Sequence, residues 1–378
     1  MKPDPKNTRP STRSKPLHPA LAAAFAALAG AFTTLAALSL PNSATAQPSA
    51  WEPTAPVELV VPAGTGGGAD LMARFIAETV AKHGLMKQPI QVVNRAGQSG
   101  GEGLLLMKAE RGNPHKLIIT LSNLFTAPLG QALPVTWRDL TPVQMLALDQ
   151  FVLWVPAGSP YRTPQALFDA IRKGPAGSVR LGGTGSKQED QLISVLLETA
   201  LATRIAYVPM RGGGDVAKAL AAAEVDITVN NPIEAEALWR AGKVRPLCVF
   251  DGAPLPYPEK VSGPLGWADL PTCMASGVPV QYLMMRGIFT TGGATPAQVA
   301  YYQHLLDQVR GLPEWAALMK QGAFKQQPMS GEAFARWLDR TEHFHKVLMR
   351  EAHLTPASAS PAPAASAAAA PPRRAPAP

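Results

Sequence analysis

Four times along this chain a β-rich run leads into a glycine-dense loop and then a helical pattern, and no other feature narrows the fold as far. The loops are Pro62-Ala63-Gly64-Thr65-Gly66-Gly67-Gly68-Ala69-Asp70, Asn94-Arg95-Ala96-Gly97-Gln98-Ser99-Gly100-Gly101, Gly182-Gly183-Thr184-Gly185-Ser186 and Pro209-Met210-Arg211-Gly212-Gly213-Gly214-Asp215. A glycine loop ahead of a helix presents N–H groups that lack partners in the first helical turn, and the helix dipole favours negative charge there. In open α/β sheets such loops collect at the carboxyl ends of strands. Loops of this kind from two lobes would make a cleft rich in N–H and O–H donors, suited to a carboxylate held with little formal positive charge. Tight turns explain one such loop as well as a ligand does; they explain four in a row less well.

The intervening pattern agrees. Val57–Val61, Ile90–Val93, Lys116–Leu121, Phe151–Val155, Val179–Leu181, Ile205–Val208, Val225–Val229 and Arg245–Phe250 read as strands. Leu71, Met72, Phe75, Ile76 and Val80 recur at helical spacing, and further helices are expected over Pro164–Arg172, with Thr163 as N-cap, and near 188–202, 214–223, 296–309 and 331–350. Pro- and Gly-rich chain fills Asp251–Pro279. Repeated β-loop-α units predict an α/β fold with mainly parallel sheets.

The ends do not belong to that fold. Residues 1–46 read as an export signal: a basic stretch ending at Lys15, an uncharged apolar run Leu17–Leu40, and an A-x-A pattern before Gln47, which predicts cleavage near Ala46 and a periplasmic location. The apolar run is about long enough to serve instead as a membrane anchor, but its Ala, Thr and Gly content makes it only moderately apolar. Residues 355–378 are almost all Ala, Pro and Ser, and the expectation there is a disordered tail. The formal charge of +8 over 378 residues is concentrated in these ends, which leaves the body near +2 and argues against a nucleic-acid binder. Two cysteines exclude a disulfide scaffold and a Cys-rich metal site; Cys248 and Cys273 either pair in an oxidising compartment or stay apart. Gly64-x-Gly66-x-x-Ala69 formally fits a dinucleotide fingerprint, but Asn94 stands where the supporting acid belongs, and no P-loop occurs. No cofactor is expected. Without a Gly-x-Ser-x-Gly elbow or a His-Glu-x-x-His pair, an enzyme is not expected either.

On these residues the chain resembles the substrate-binding receptors of the tripartite tricarboxylate transporters, the Bug (TctC-like) family. The matching stretches are Val61-Pro62-Ala63-Gly64-x-Gly66-Gly67-Gly68-x-Asp70-x-x-Ala73-Arg74, Val93-Asn94-Arg95, Gly182–Ser186 with Asp190, and Val208-Pro209-x-Arg211-Gly212-Gly213-Gly214. Val225-Asp226, Trp267-x-Asp269-Leu270-Pro271-Thr272 and Arg286-Gly287-Ile288-Phe289 continue it. The resemblance implies a two-lobed, Venus-flytrap fold like type II periplasmic binding proteins, with ligand between the lobes. Lobe one would hold residues 51–150 and 278–354, and lobe two 151–277. The protein would work as a monomer, carrying a small di- or tricarboxylate to a membrane transporter. An amino acid or aromatic carboxylate as ligand, and a sensing role toward a signalling partner, are the alternatives. Lys187-Gln188-Glu189-Asp190, where many relatives carry His-Leu, and Gln98-Ser99 in the second loop depart from the family pattern and bear on ligand choice.

The resemblance also implies a site. Gly66, Gly67 and Gly68 would grip a carboxylate from lobe one, aided by Ser122 and Asn123, while Thr184, Gly185 and Ser186 meet it from lobe two with Arg211 nearby. Asp70 either caps the first helix or receives a cationic ligand group. Arg211 either forks onto a carboxylate or pairs with Asp215. Asn230 and Asn231 either reach the cleft or turn the chain before Pro232. His343 and His345, two apart on a helix, point to different faces and read as a surface helix and not as metal ligands.

Overall fold

The computed structural model describes residues 51–356. The export signal expected over 1–46 and the tail from residue 357 onward lie outside the described residues. The chain runs β1 (Val57–Val61), α1 (Gly68–Lys82), β2 (Ile90–Asn94), α2 (Gly101–Ala109), β3 (Lys116–Thr120), α3 (Asn123–Gln131) and β4 (Leu140–Gln150). It continues with β5 (Val152–Pro156), α4 (Pro164–Lys173), β6 (Arg180–Thr184), α5 (Glu189–Leu201), β7 (Ala206–Met210), α6 (Gly213–Ala221), β8 (Ile227–Thr228), α7 (Pro232–Arg240) and β9 (Val244–Val249). A short hairpin, β10 (Lys260–Ser262) with β11 (Leu265–Gly266), precedes β12 (Leu283–Thr291), α8 (Pro296–Arg310), α9 (Pro313–Gln321), β13 (Lys325–Met329) and α10 (Gly331–Glu351).

Two sheets carry these elements. The first has the order β13-β4-β12-β3-β1-β2 and the second β7-β6-β8-β5-β9. Strands β2, β1 and β3 run parallel, as do β7, β6 and β8. These are the β-loop-α units the glycine pattern predicts. Each sheet is completed by antiparallel strands: β12, β4 and β13 in the first, β5 and β9 in the second. Four of them, β4, β5, β9 and β12, flank the places where the chain changes lobe. Strand β4 ends at Gln150 and β5 begins at Val152, so Phe151 alone separates the sheets. The return passes beside it: Phe250 N–H donates to the Phe151 carbonyl at 2.9 Å and Tyr282 N–H to the Phe250 carbonyl at 3.0 Å. Paired crossing segments of this kind are hinge-like, because a few φ/ψ changes rotate one lobe against the other.

Local chemistry explains the helix starts. Thr163 and Thr295 accept from Ala166 N–H and Gln298 N–H, and a proline follows each. Asn231 and Glu234 form a capping box at α7, with Pro232 in the first turn. Strands β1 and β3 are buried on both faces, which fits their continuous apolar runs. In the second lobe Trp154, Trp239 and Trp267 pack edge to face at 4.9–6.1 Å. No helix among the described residues is long and apolar enough to cross a membrane.

Candidate functional site

The carboxyl ends of β1, β6 and β7 deliver the first, third and fourth glycine loops to one cleft between the lobes. The loops touch there backbone to backbone. A Cβ on Gly64 would stand 2.8 Å from the Arg211 carbonyl oxygen, and one on Gly214 would stand 3.0 Å from that of Gly66. Gly66 itself has φ +78°, a conformation costly for a side chain. Side chains would therefore hold the lobes apart. Hydrogen bonds that cross the gap beside these loops include Gly68 N–H to Glu234 Oε1 at 2.9 Å, Ser99 Oγ to the Ser186 carbonyl at 3.0 Å, Lys187 Nζ to the Gly130 carbonyl at 2.9 Å, and Arg286 Nη2 to Asn231 Oδ1 at 3.3 Å.

The cleft has two contiguous compartments that share Pro62, Ala63, Gly64, Thr184, Gln188 and Gly212. The outer, of about 650 Å³, is bordered by Gly66, Asn94, Ser99, Gly185, Arg211 and Lys218. The inner, of about 30 Å³, is bordered by Gly67, Gly68, Asn123, Glu189, Asp190 and Glu234.

Of the residues singled out from the sequence, Gly66, Gly185 and Arg211 line the outer compartment, Gly67, Gly68 and Asn123 the inner one, and Thr184 both. Three line neither. Asp70 lies behind its loop, accepting from Gly66 N–H at 2.9 Å, from Arg74 Nε and Nη2, and from Asn94 Nδ2 at 3.0 Å. It is thus three residues into the reach of the helix start, where Gly67 occupies the N-cap position, and it braces the loop from within. Burial acts to raise the Asp70 pKa, but the bonds from Arg74, Gly66 and Asn94 together outweigh it and hold the carboxyl below its usual range. Ser122 is buried, and Ser186 is exposed with its carbonyl engaged by Ser99. Arg211 stands 93% exposed at the mouth, 3.6 Å from Asp215.

Several N–H groups of the loops are already engaged by carboxylates of the protein. Thr184 N–H donates to Asp190 Oδ2 at 2.6 Å, Gly97 N–H to Glu102 Oε2 at 3.2 Å, and Gly68 N–H to Glu234. Glu234 also accepts from Asn230 Nδ2 at 3.0 Å and Asn231 N–H at 3.1 Å. Asn231 serves the cleft as well as the turn: it stands at the start of α7, borders the inner compartment, donates to the Gln150 carbonyl at 2.8 Å and accepts from Arg286, whereas Asn230 borders neither compartment and braces Glu234 and the Gly213 carbonyl.

Sequence reasoning did not place Glu189, Glu234, Asp149 or Arg286 in this site. Asp149 of β4 and Arg286 of β12 form a fully buried pair, with Nε and Nη2 both on Oδ2, at 3.0 and 2.5 Å. They lie under Gly68, where a Cβ would meet Arg286 Nη2 at 2.3 Å. Burial pushes Glu189 up to about 7, against the pull of its own amide and of Arg286. Burial likewise raises Asp190, and neighbouring Glu189 and Glu234 add to the shift. The Lys187–Asp190 run was the one available signal: its charges were visible, their burial was not. His345 corrects the surface-helix expectation. It is 1% exposed, accepts or donates at 2.8 Å to Tyr282 Oη, and burial pushes its imidazole down to about 4. Cys248 and Cys273 form a disulfide. Among the described residues no cluster of His, Cys, Asp and Glu is arranged to hold a metal.

A family model described as "Tripartite tricarboxylate transporter family receptor" (TctC) matches residues 72–260. A UPF0065 protein from the tcbD–tcbE intergenic region of Pseudomonas sp. (strain P51) is 28% identical over 305 residues, which covers 79% of this chain and 86% of that protein. Among solved structures, R. palustris Rpa4515 with adipate has a TM-score of 0.72 at 24% identity, covering 81% of this chain and 99% of that one. MatC (Rpa3494) from Rhodopseudomonas palustris with bound malate has a TM-score of 0.68 at 20% identity, covering 78% of this chain and 99% of that one.

Proposed function

The chain belongs to the tripartite tricarboxylate transporter family of receptors, and from that premise we propose that it captures a small carboxylate-bearing solute between its lobes and hands it to the membrane subunits of such a transporter. One observation carries the reading. Glycine loops from both lobes meet in a single cleft, and one of them, through Gly68 N–H, already donates to a carboxylate, that of Glu234. A helix N-terminus that binds an internal carboxylate has the geometry to bind a ligand's. In the outer compartment Lys218 and the weakly paired Arg211 add positive charge to the backbone donors. The adipate and malate of the two structural neighbours are small dicarboxylates of a size this compartment accommodates.

In this reading residues 51–150 and 278–354 form lobe one and 151–277 lobe two. The lobes rock about Phe151 and its paired return segment, as a monomer. Residues 1–46 direct export, with cleavage near Ala46, so the receptor works in the periplasm, where the Cys248–Cys273 bond persists. It catalyses no reaction on its ligand.

Thermal melting against a panel of dicarboxylates, tricarboxylates, aromatic carboxylates and amino acids tests the proposal. A ligand that binds only the native state raises the melting midpoint by mass action. The expected result is a concentration-dependent rise with one carboxylate-bearing class, reduced by Arg211→Ala together with Lys218→Ala. No rise with any of them would overturn it.

A further inference from the structure

The cleft narrows inward from about 650 Å³ to about 30 Å³. The inner compartment is about a twentieth of the outer, so it suits one compact head group of a few heavy atoms at most. Two of its bordering residues, one from each lobe, carry buried side-chain oxygens with no partner: Asn123 Oδ1 from α3 and Glu189 Oε2 from α5. These residues are 2% and 5% exposed. The amide of Asn123 is oriented by the bond from Nδ2 to the Pro62 carbonyl at 2.7 Å, and no protein group donates to its oxygen. The loop donor at this depth, Gly68 N–H, is already engaged by Glu234. Arg286 Nη1 is also unpartnered, but Arg286 does not border the compartment and its charge is balanced by Asp149. A carboxylate entering here would meet Glu189, Asp190 and Glu234 together.

We infer that the inner compartment receives an ammonium head group between Glu189 and Asn123, while the ligand's carboxylate stays in the outer compartment near Arg211 and Lys218. The captured solute is then an amino acid or ω-amino carboxylate and not a plain dicarboxylate. This rests on the receptor reading and narrows its substrate class. An ammonium supplies three donors in a volume close to that of water, and a buried carboxylate is its strongest partner.

The test titrates the full chain calorimetrically with matched pairs: δ-aminovalerate against adipate, γ-aminobutyrate against glutarate, and aspartate against succinate. In at least one pair the ammonium-bearing member binds more tightly by about tenfold or more, the scale of a charge-assisted hydrogen bond, and Glu189→Gln removes that advantage. The pH dependence is a second readout that needs no variant. Glu189 faces Asp190 on its own helix, Glu234 from α7, Arg286 from β12 (itself paired with Asp149 of β4), Tyr207 from β7, and Tyr282. An ammonium requires ionised Glu189, so its affinity weakens as pH falls through about 7; a carboxylate at the same place would bind more tightly in acid. If Glu189→Gln fails to fold, this slope decides. Dicarboxylates that bind at least as tightly as their amine partners, with affinity rising in acid, would overturn the inference and leave the receptor reading intact. Failure of every member to bind would overturn the inference alone, and the wider melting panel would then decide the receptor reading.

Discussion

The carboxylate of Asp70 accepts four hydrogen bonds at the base of the first glycine loop, from Gly66, Asn94 and twice from Arg74. None of its partners is in the opposite lobe, and Asp70 is 1% exposed. Its work is therefore to hold Gly66 and the loop in a shape that can meet lobe two. Asp70→Asn keeps the volume but sets an amide N–H₂ among donors. The expected loss is about 2 kcal/mol of unfolding free energy, read from urea denaturation. The preference between amine and carboxylate ligands should not change. An altered preference with unchanged stability would make Asp70 a ligand contact. The wild-type carboxyl is depressed by its partners, so its contribution is present above the unfolded carboxylate pKa and is lost as pH falls through the lower folded value. The glycines around it were readable in the sequence because their requirement is local: Gly66 must adopt φ +78°, whatever lies across the cleft. Glu234 was not, because its role depends on Gly68 arriving from 166 residues away.

Three of the four unforeseen site residues sit on elements that sequence periodicity did not reveal; the fourth, Glu189, starts the expected helix α5. Strand β4 supplies Asp149, β12 supplies Arg286 and α7 supplies Glu234. Both strands are buried on both faces, so neither shows the alternation that marks a half-exposed strand. Asn231-Pro232 reads equally as a turn and as the start of a helix, and only the capping box with Glu234 decides it. The parallel units were legible because each repeats strand, loop and helix within a short stretch; the antiparallel strands pair over separations that no local pattern records. The disulfide also ties distant elements. It joins the end of β9 to the Thr272–Val278 turn, where Cys273 N–H donates to the Val249 carbonyl at 2.9 Å, beside the return segment to lobe one. Both cysteines are fully buried. Closing this loop stabilises the fold by about 3 kcal/mol in the chain-entropy picture. Cys248→Ala with Cys273→Ala should lower the melting midpoint on the order of 5–10 °C. The reductant-treated native protein should keep its midpoint as long as the buried bond is out of reach. An unchanged midpoint in the double variant would show that β9 and the turn hold without the bond.

At the scale of the whole molecule, closing the cleft places carboxyl groups where water no longer reaches them, and that cost gives stability an unusual pH dependence. Glu189 titrates at about 7 in the folded protein because it is buried, against an ordinary value near 4.5. The native state therefore holds a proton that the unfolded chain has released across this interval. The sign follows from linkage: where the native state binds more protons, stability falls as pH rises. The contribution is whole below about 4.5, declines through the interval and is gone above about 7, an effect on the order of 3 kcal/mol for a single group. Asp190, raised in the same direction, steepens the decline. In more acid solution the sign reverses, since Asp70, Asp226 and Glu342 have lowered values and lose their partners as they protonate. The ligand-free protein should thus be most stable in mild acid, between these two sets of groups, and less stable at neutral pH. Melting midpoints measured from about pH 4 to pH 8 should fall on the alkaline side, and Glu189→Gln, which cannot ionise, should flatten that limb. A wild-type midpoint that rises steadily to neutrality would show that the cleft stays open to water when empty. If the limb is present, neutral pH leaves an ionised, buried Glu189 that a cation entering the cleft would stabilise, so ligand capture and lobe closure would draw on the same charge.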